Sequence, residues 1–233
     1  RKVGWHKMTK TKVIEMLNEI TGGLSNESKM WSRSFGLPAK RCHVGSQLAK
    51  IKGSVCNGCY ALDRGNYQYP VVKDAQERRY QKLYHPLWVT AMTMLLWLQV
   101  KDFFRWQGSG DIDSLKHLCN IVQVCENTPQ LKHWMPTKEK GILKEFLKRG
   151  GVIPSNLVIS MSGYFVDGGR VKGFDDHPQI AHHLTYNKRN KHGVDTEAYI
   201  CPVEDDLGFK SCDQANCSAC WNPSVRVVAG ALH

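Results

Sequence analysis

Seven of the nine cysteines fall in two short segments near opposite ends of the 233-residue chain. The front segment reads Cys42-His-Val-Gly-Ser-Gln-Leu-Ala-Lys-Ile-Lys-Gly-Ser-Val-Cys56-Asn-Gly-Cys59-Tyr-Ala, and the rear one places Cys201, Cys212, Cys217 and Cys220 ahead of Trp221. A gap of two residues, as in Cys56–Cys59 and Cys217–Cys220, turns the chain back so that both sulfurs can reach one centre. The fold must therefore accommodate two sulfur-lined loops. The four rear thiolates suit either a tetrahedral zinc site or an iron–sulfur cluster, and the spacing leaves both open. At the front, Cys42, Cys56 and Cys59 on a cubane cluster would leave one iron without a protein ligand, an open position of the kind reactive metals need. The other reading adds His43 to make a three-Cys, one-His zinc site.

An odd count excludes complete internal disulfide pairing. With no apolar leader in the first residues, a reducing cytoplasmic setting is expected, and no apolar run reaches the roughly 18 residues of a membrane span. The remaining pair, Cys119 and Cys125, shares helical spacing with Leu115, Leu118 and Val122 and reads as core.

Between the cysteine segments the pattern is that of an α/β protein. Residues 10–20 form an amphipathic helix closed by Gly22-Gly23, residues 29–36 a strand, and residues 70–101 one long helical stretch. Strands at 103–106, 131–135 and 156–161 then alternate with helices at 113–127 and 139–148, which predicts a parallel sheet. Ligands of such sheets collect at the carboxyl ends of the strands, where Gly108, Ser109, Gly110, Asp111, Thr137, Lys138, Ser160 and Ser162 fall. Asp111 is either a functional carboxylate at that mouth or, with Asp113, a helix cap; the assignment favoured is Asp113 as cap and Asp111 as functional. From 163 to 199 the chain is polar and basic; the His182-His183 pair suggests metal, but adjacent side chains on an extended segment diverge, so a solvated or polyanion-facing loop is the favoured reading. The expected organisation is an N-terminal helical extension (1–30), an α/β core (31–162), which the resemblance described below makes a partial barrel with its cluster loop at 38–60, and a basic loop with a metal-binding tail (163–233). Lys and Arg exceed Asp and Glu by 11, a surplus that draws polyanions such as nucleic acid.

Four stretches carry a family resemblance: Cys-Asn-Gly-Cys-Tyr-Ala at 56–61, Phe-Arg-Trp-Gln-Gly-Ser-Gly-Asp-Ile at 104–112, His-Trp-Met-Pro-Thr-Lys at 133–138 and Val-Ile-Ser-Met-Ser at 158–162. With them the chain resembles tailed-phage proteins of the gene-product-88 type and their three-cysteine-motif relatives, a group similar to divergent radical S-adenosylmethionine enzymes. That resemblance implies a partial (β/α)6 TIM-like barrel and a cysteine-rich C-terminal tail. It also implies a 4Fe-4S cluster on Cys42, Cys56 and Cys59 whose fourth iron is chelated by S-adenosylmethionine. Tyr60 would lie beside the cluster, the Gly108–Asp111 turn would receive the methionine amino group, and Ser160 would join the cofactor contacts. Asp111 and Lys138 are the candidate catalytic groups, and Cys201, Cys212, Cys217 and Cys220 would hold a second cluster or zinc. The implied chemistry is one-electron reduction of the cofactor to methionine and a deoxyadenosyl radical. It would need an electron donor and act on a DNA base or nucleotide-like substrate in the host cytoplasm, as in phage DNA hypermodification. Two alternatives share the same residues. One is a zinc-stapled nucleic-acid-binding protein in which Trp5, Trp31 or Trp221 stacks bases; the other is a DNA base transglycosylase with Asp111 as nucleophile.

Overall fold

A computed structural model describes residues 8–205 and 208–232. The chain opens with α1 (Lys10–Thr21), whose first turn is capped by the Thr9 hydroxyl and which Gly22 ends in the left-handed conformation, as expected. A short β1 (Ser25–Asn26) pairs antiparallel with β2 (Arg33–Phe35). The strand expected over 29–36 is thus only three residues long. Trp31 leaves it to stack on Phe103, with ring centroids 5.4 Å apart.

Two short helices, α2 (His43–Leu48) and α3 (Tyr60–Asp63), bracket the front cysteine loop. The single helix expected over 70–101 is instead α4 (Pro70–Lys82) and α5 (Trp88–Gln99). Pro86 is the cause: its ring disfavours helical backbone at His85 and it offers no amide hydrogen to a continuing helix.

Next come β3 (Phe103–Trp106), α6 (Leu115–Glu126), β4 (Lys132–Thr137), α7 (Lys140–Lys148) and β5 (Leu157–Ser162), each end within two residues of expectation. Two details differ. Ser114, not Asp113, caps α6 by accepting the His117 amide at 3.1 Å, while Asp113 accepts the Tyr84 hydroxyl. Of the two mid-chain cysteines, Cys125 lies on the buried stripe with Leu118, Ile121 and Val122, whereas Cys119 falls off it and is exposed.

The largest departure follows. The segment after residue 162 supplies β6 (Ile180–Tyr186), β7 (Tyr199–Ile200) and β8 (Val227–Ala231) to the same sheet. His182 and His183 are therefore strand residues facing opposite sides of the sheet, not members of a solvated loop.

Strand order is β1-β2-β3-β4-β5-β6-β8-β7, with every pair but the first parallel, and the sheet stays open at its two edges. β2, β3, β4, β5, β6 and β8 lie side by side in chain order, so the winding never reverses and the helices collect on one face. There Trp88 and Met92 of α5, Leu118 and Ile121 of α6, and Leu143 and Phe146 of α7 pack on Phe35, Phe104, Met135 and Ile159. Strand alternation sends Arg105, Trp134 and Ser160 to the other face. That face is closed in part by Trp221, whose indole N–H donates to the Phe104 carbonyl at 2.9 Å and whose ring meets Phe103 and Trp134 at 5.2 and 5.5 Å. No helix among the described residues is long and apolar enough to cross a membrane.

Candidate metal centre and cavity

The carboxyl ends of the parallel strands open onto a cavity of about 480 Å³. The expected residues Cys42, Cys56, Cys59, Gly108, Asp111 and Lys138 all line it.

The front loop is held there by its own sequence. A turn closes Cys56 to Cys59, with the Cys59 amide on the Cys56 carbonyl at 3.1 Å, and it needs the glycine because Gly58 sits at φ 82°. Ser54 and Val55 are pinned to the loop after β5 by an isolated antiparallel bridge to Phe165 and by the Val55 amide on the Tyr164 carbonyl at 2.9 Å. Glu139, at the end of β4, accepts the Val44 amide at 3.0 Å and so ties α2 to the sheet. The Cys42 and Cys56 sulfurs flank Gly45: a β-carbon there would lie 3.6 and 3.7 Å from them.

Electrostatics ties these thiols together. Burial pushes Cys42 far up, with Asp111, Cys59 and Cys56 adding to it. Burial also raises Cys56, with Lys138 opposing. Cys201, Cys212 and Cys220 at the rear behave alike. Cys212 is pushed up to about 12 by burial, reinforced by Cys201 and Cys217 and opposed by Arg105. Cys220 is raised well above its ordinary value by burial and by Cys201 and Cys212, again against Arg105, and Cys201 is raised by burial and then by Glu204. The Cys217 amide bonds the Cys212 carbonyl at 2.9 Å, and the Tyr199 hydroxyl lies 3.5 Å from the Cys217 sulfur. As they stand, no three His, Cys, Asp or Glu side chains among the described residues converge closely enough to hold a single ion. Both groups are nonetheless soft-donor sets, and a cation or cluster would lower the raised values of Cys42, Cys56, Cys201, Cys212 and Cys220.

The other candidates divide. The Asp111 carboxylate accepts the Thr137 hydroxyl at 2.5 Å and the Lys138 and Ile112 amides at 2.8 Å each. Burial nevertheless raises it to about 6, those hydrogen bonds pulling the other way. Ser109 lines the cavity, but its hydroxyl is engaged by the Gln76 amide at 2.6 Å and the Leu37 carbonyl at 2.9 Å. Tyr60 is half exposed at the rim, edge-on to Tyr67 with centroids 5.4 Å apart. Ser160 stands off the lining and accepts the Trp134 indole N–H at 2.9 Å; Ser162, one pleat further on, takes its place at the cavity. Trp31 is exposed and Trp221 buried; Trp5 lies outside the described residues.

Sequence reasoning missed Arg105, Gln107, His183 and Glu204, all of which line the cavity. A signal existed for Arg105, a charge between Phe104 and Trp106 in an otherwise aromatic strand. His183 carried one in the His182-His183 pair, outweighed because its strand reads as loop, and Glu204 carried none.

An open, singly wound parallel α/β sheet with a cysteine-lined cavity at its strand ends defines the class of this protein. The chain belongs to the gene product 88 family, whose model matches residues 6–223. No curated protein and no solved structure matches it.

Proposed function

We propose that this protein is an iron–sulfur enzyme of the radical S-adenosylmethionine type that modifies a nucleic-acid base or nucleotide-like substrate, as in phage DNA hypermodification. The observation that carries the reading is the meeting of Cys42, Cys56, Cys59 and the Gly108–Asp111 turn around one cavity at the carboxyl ends of β3 and β4. On this reading β2 to β6 with β8 serve as a partial (β/α)6 barrel, and the rear cysteines hold a second cluster or zinc. The bound cluster and cofactor would supply one-electron reductive chemistry, fed by an electron donor.

The chain's own residues have narrower tasks. The three front thiols would hold the cluster, and Gly45 leaves room beside two of the sulfurs. Lys138 offsets thiolate charge at Cys56. Asp111 latches the Thr137 hydroxyl and the Lys138 amide to the turn, fixing the cavity wall; with three donors already on its oxygens it is poorly placed to be a nucleophile, which weighs against base exchange. Arg64, Lys138 and Arg105 line the cavity, and with the overall surplus of 11 positive charges they suit a polyanionic substrate.

The test is metal and sulfide analysis of anaerobically purified protein and of Cys56→Ala, Cys59→Ala and Cys217→Ala. The reading expects iron and sulfide in the wild type, loss of the front chromophore in the first two variants, and its retention in the third. Zinc alone in every preparation would overturn it in favour of a zinc-stapled nucleic-acid-binding protein.

A further inference from the structure

β3 ends at Trp106, and Gln107 follows it directly, two residues on from Arg105. Both line the cavity. Gln107 is only 3% exposed, yet among the described residues neither its amide oxygen nor its amide nitrogen has a hydrogen-bond partner. Its backbone is held at φ 54°, a left-handed conformation that side-chain-bearing residues seldom adopt and that recurs at ligand sites. Arg105 is similar. Among the described residues its Nε is buried without a hydrogen-bond partner, its Nη1 reaches the Met30 sulfur at 3.5 Å, its guanidinium lies 4.8 Å from the centre of the Trp134 ring, and its charge, opposed by burial, is favoured at longer range by Tyr60, Glu27, Tyr67 and Cys220. Buried amides and guanidinium groups are costly to leave unpaired. Two of them, two residues apart and facing one cavity, mark a place built for a ligand.

We propose that Arg105 and Gln107 form a recognition pair for guanine. This rests on reading the cavity as the seat of a base-modifying site. The Nε–Nη2 edge of Arg105 is a planar fork of two donors, which matches the adjacent O6 and N7 acceptors of guanine. The amide of Gln107 offers one donor and one acceptor side by side. Its oxygen accepts the guanine N1–H while its nitrogen donates to the shared O6. Adenine puts an amine where O6 stands and turns one arm of the fork against a donor. Thymine lacks two adjacent acceptors for the fork, and cytosine's adjacent pair, N3 and O2, lies closer together than O6 and N7 and matches the fork less well, so CMP joins the binding series as the stringent control.

The test is equilibrium binding of GMP, AMP, CMP, TMP and ribose 5-phosphate to the purified protein, with single-stranded oligonucleotides holding one guanine or none to separate a free nucleotide from a base in DNA. The expected result is GMP, or the guanine-bearing strand, bound about tenfold or more tightly than its counterparts, with ribose 5-phosphate weakest. Gln107→Leu and Arg105→Lys should each erase that preference, the second because an ammonium keeps the charge and loses the fork. Gln107→Leu removes a buried amide that has no hydrogen-bond partner among the described residues, so its melting temperature should stay at or rise above the wild-type value. Equal affinity for GMP and AMP, or a guanine preference that survives both variants, would overturn the proposal. Iron content of the same preparations separates the two readings. Iron without guanine preference overturns the recognition pair alone, and guanine preference with zinc in place of iron overturns the cluster alone.

Discussion

Lowering the pH from 7 to 5 should cost the metal-free protein about 2 kcal/mol of folding stability. The reason lies in the core behind the sheet. Burial holds His117 down to about 4 and His133 down to about 3, against an ordinary 6.5. A group whose folded pKa is depressed contributes stability that is present above its unfolded value and lost as the pH falls toward the folded one. At pH 5 an unfolded imidazole is almost fully charged while both buried rings remain neutral, so each removes about 2 kcal/mol relative to pH 7. Asp111 works the other way. Burial raises it from 3.8 to about 6, so at pH 5 the folded carboxyl holds a proton that the unfolded one has released. That returns about 1 kcal/mol. His182 and His183, both lowered by burial, add to the histidine side. Urea unfolding followed by tryptophan fluorescence, with chelator and reductant present because thiol–metal binding has its own pH dependence, gives the free energy at the two pH values. An equal or greater stability at pH 5 would refute the assignment of neutral buried imidazoles.

Two substitutions probe the frame of the site. Asp111→Ala leaves the Thr137 hydroxyl and the Lys138 amide without their acceptor and should lower stability by about 2 to 3 kcal/mol, with Asp111→Asn losing less; an unchanged melting temperature would contradict the latch. Trp221→Ala removes a buried ring and its bond to Phe104 and should cost about 4 kcal/mol in chemical unfolding. A loss below about 1 kcal/mol would mean that the rear cysteine segment is an appendage and not part of the sheet's packing.

The strands β3, β4 and β5 were legible because each is a short apolar run bounded by turn residues. β6 was not, since Ile-Ala-His-His-Leu-Thr-Tyr carries two histidines in mid-strand, and only tertiary burial of His182 makes that tolerable. β8, Val-Val-Ala-Gly-Ala, is built of small residues and follows a polar, cysteine-rich stretch, so it reads as the end of a tail. Gly230 in it has a structural reason: a β-carbon there would lie 1.6 Å from a carboxylate oxygen of Glu204, which packs over the strand at the cavity. The break at Pro86 was readable from one residue and was outweighed by the apolar run on either side. At the site, the cysteine spacings and the glycine turn announced themselves. The groups between them did not, because Arg105 and Gln107 become neighbours in function only once the cavity is known.

The most direct test of the central claim is the electron paramagnetic resonance spectrum of anaerobically purified, dithionite-reduced protein, recorded with and without S-adenosylmethionine. A cluster signal that changes when the cofactor is added is the predicted result, because a cluster held by the three front thiols would leave one iron free to take it. A protein that holds zinc and shows no such signal, or a cluster signal indifferent to the cofactor, would contradict the account.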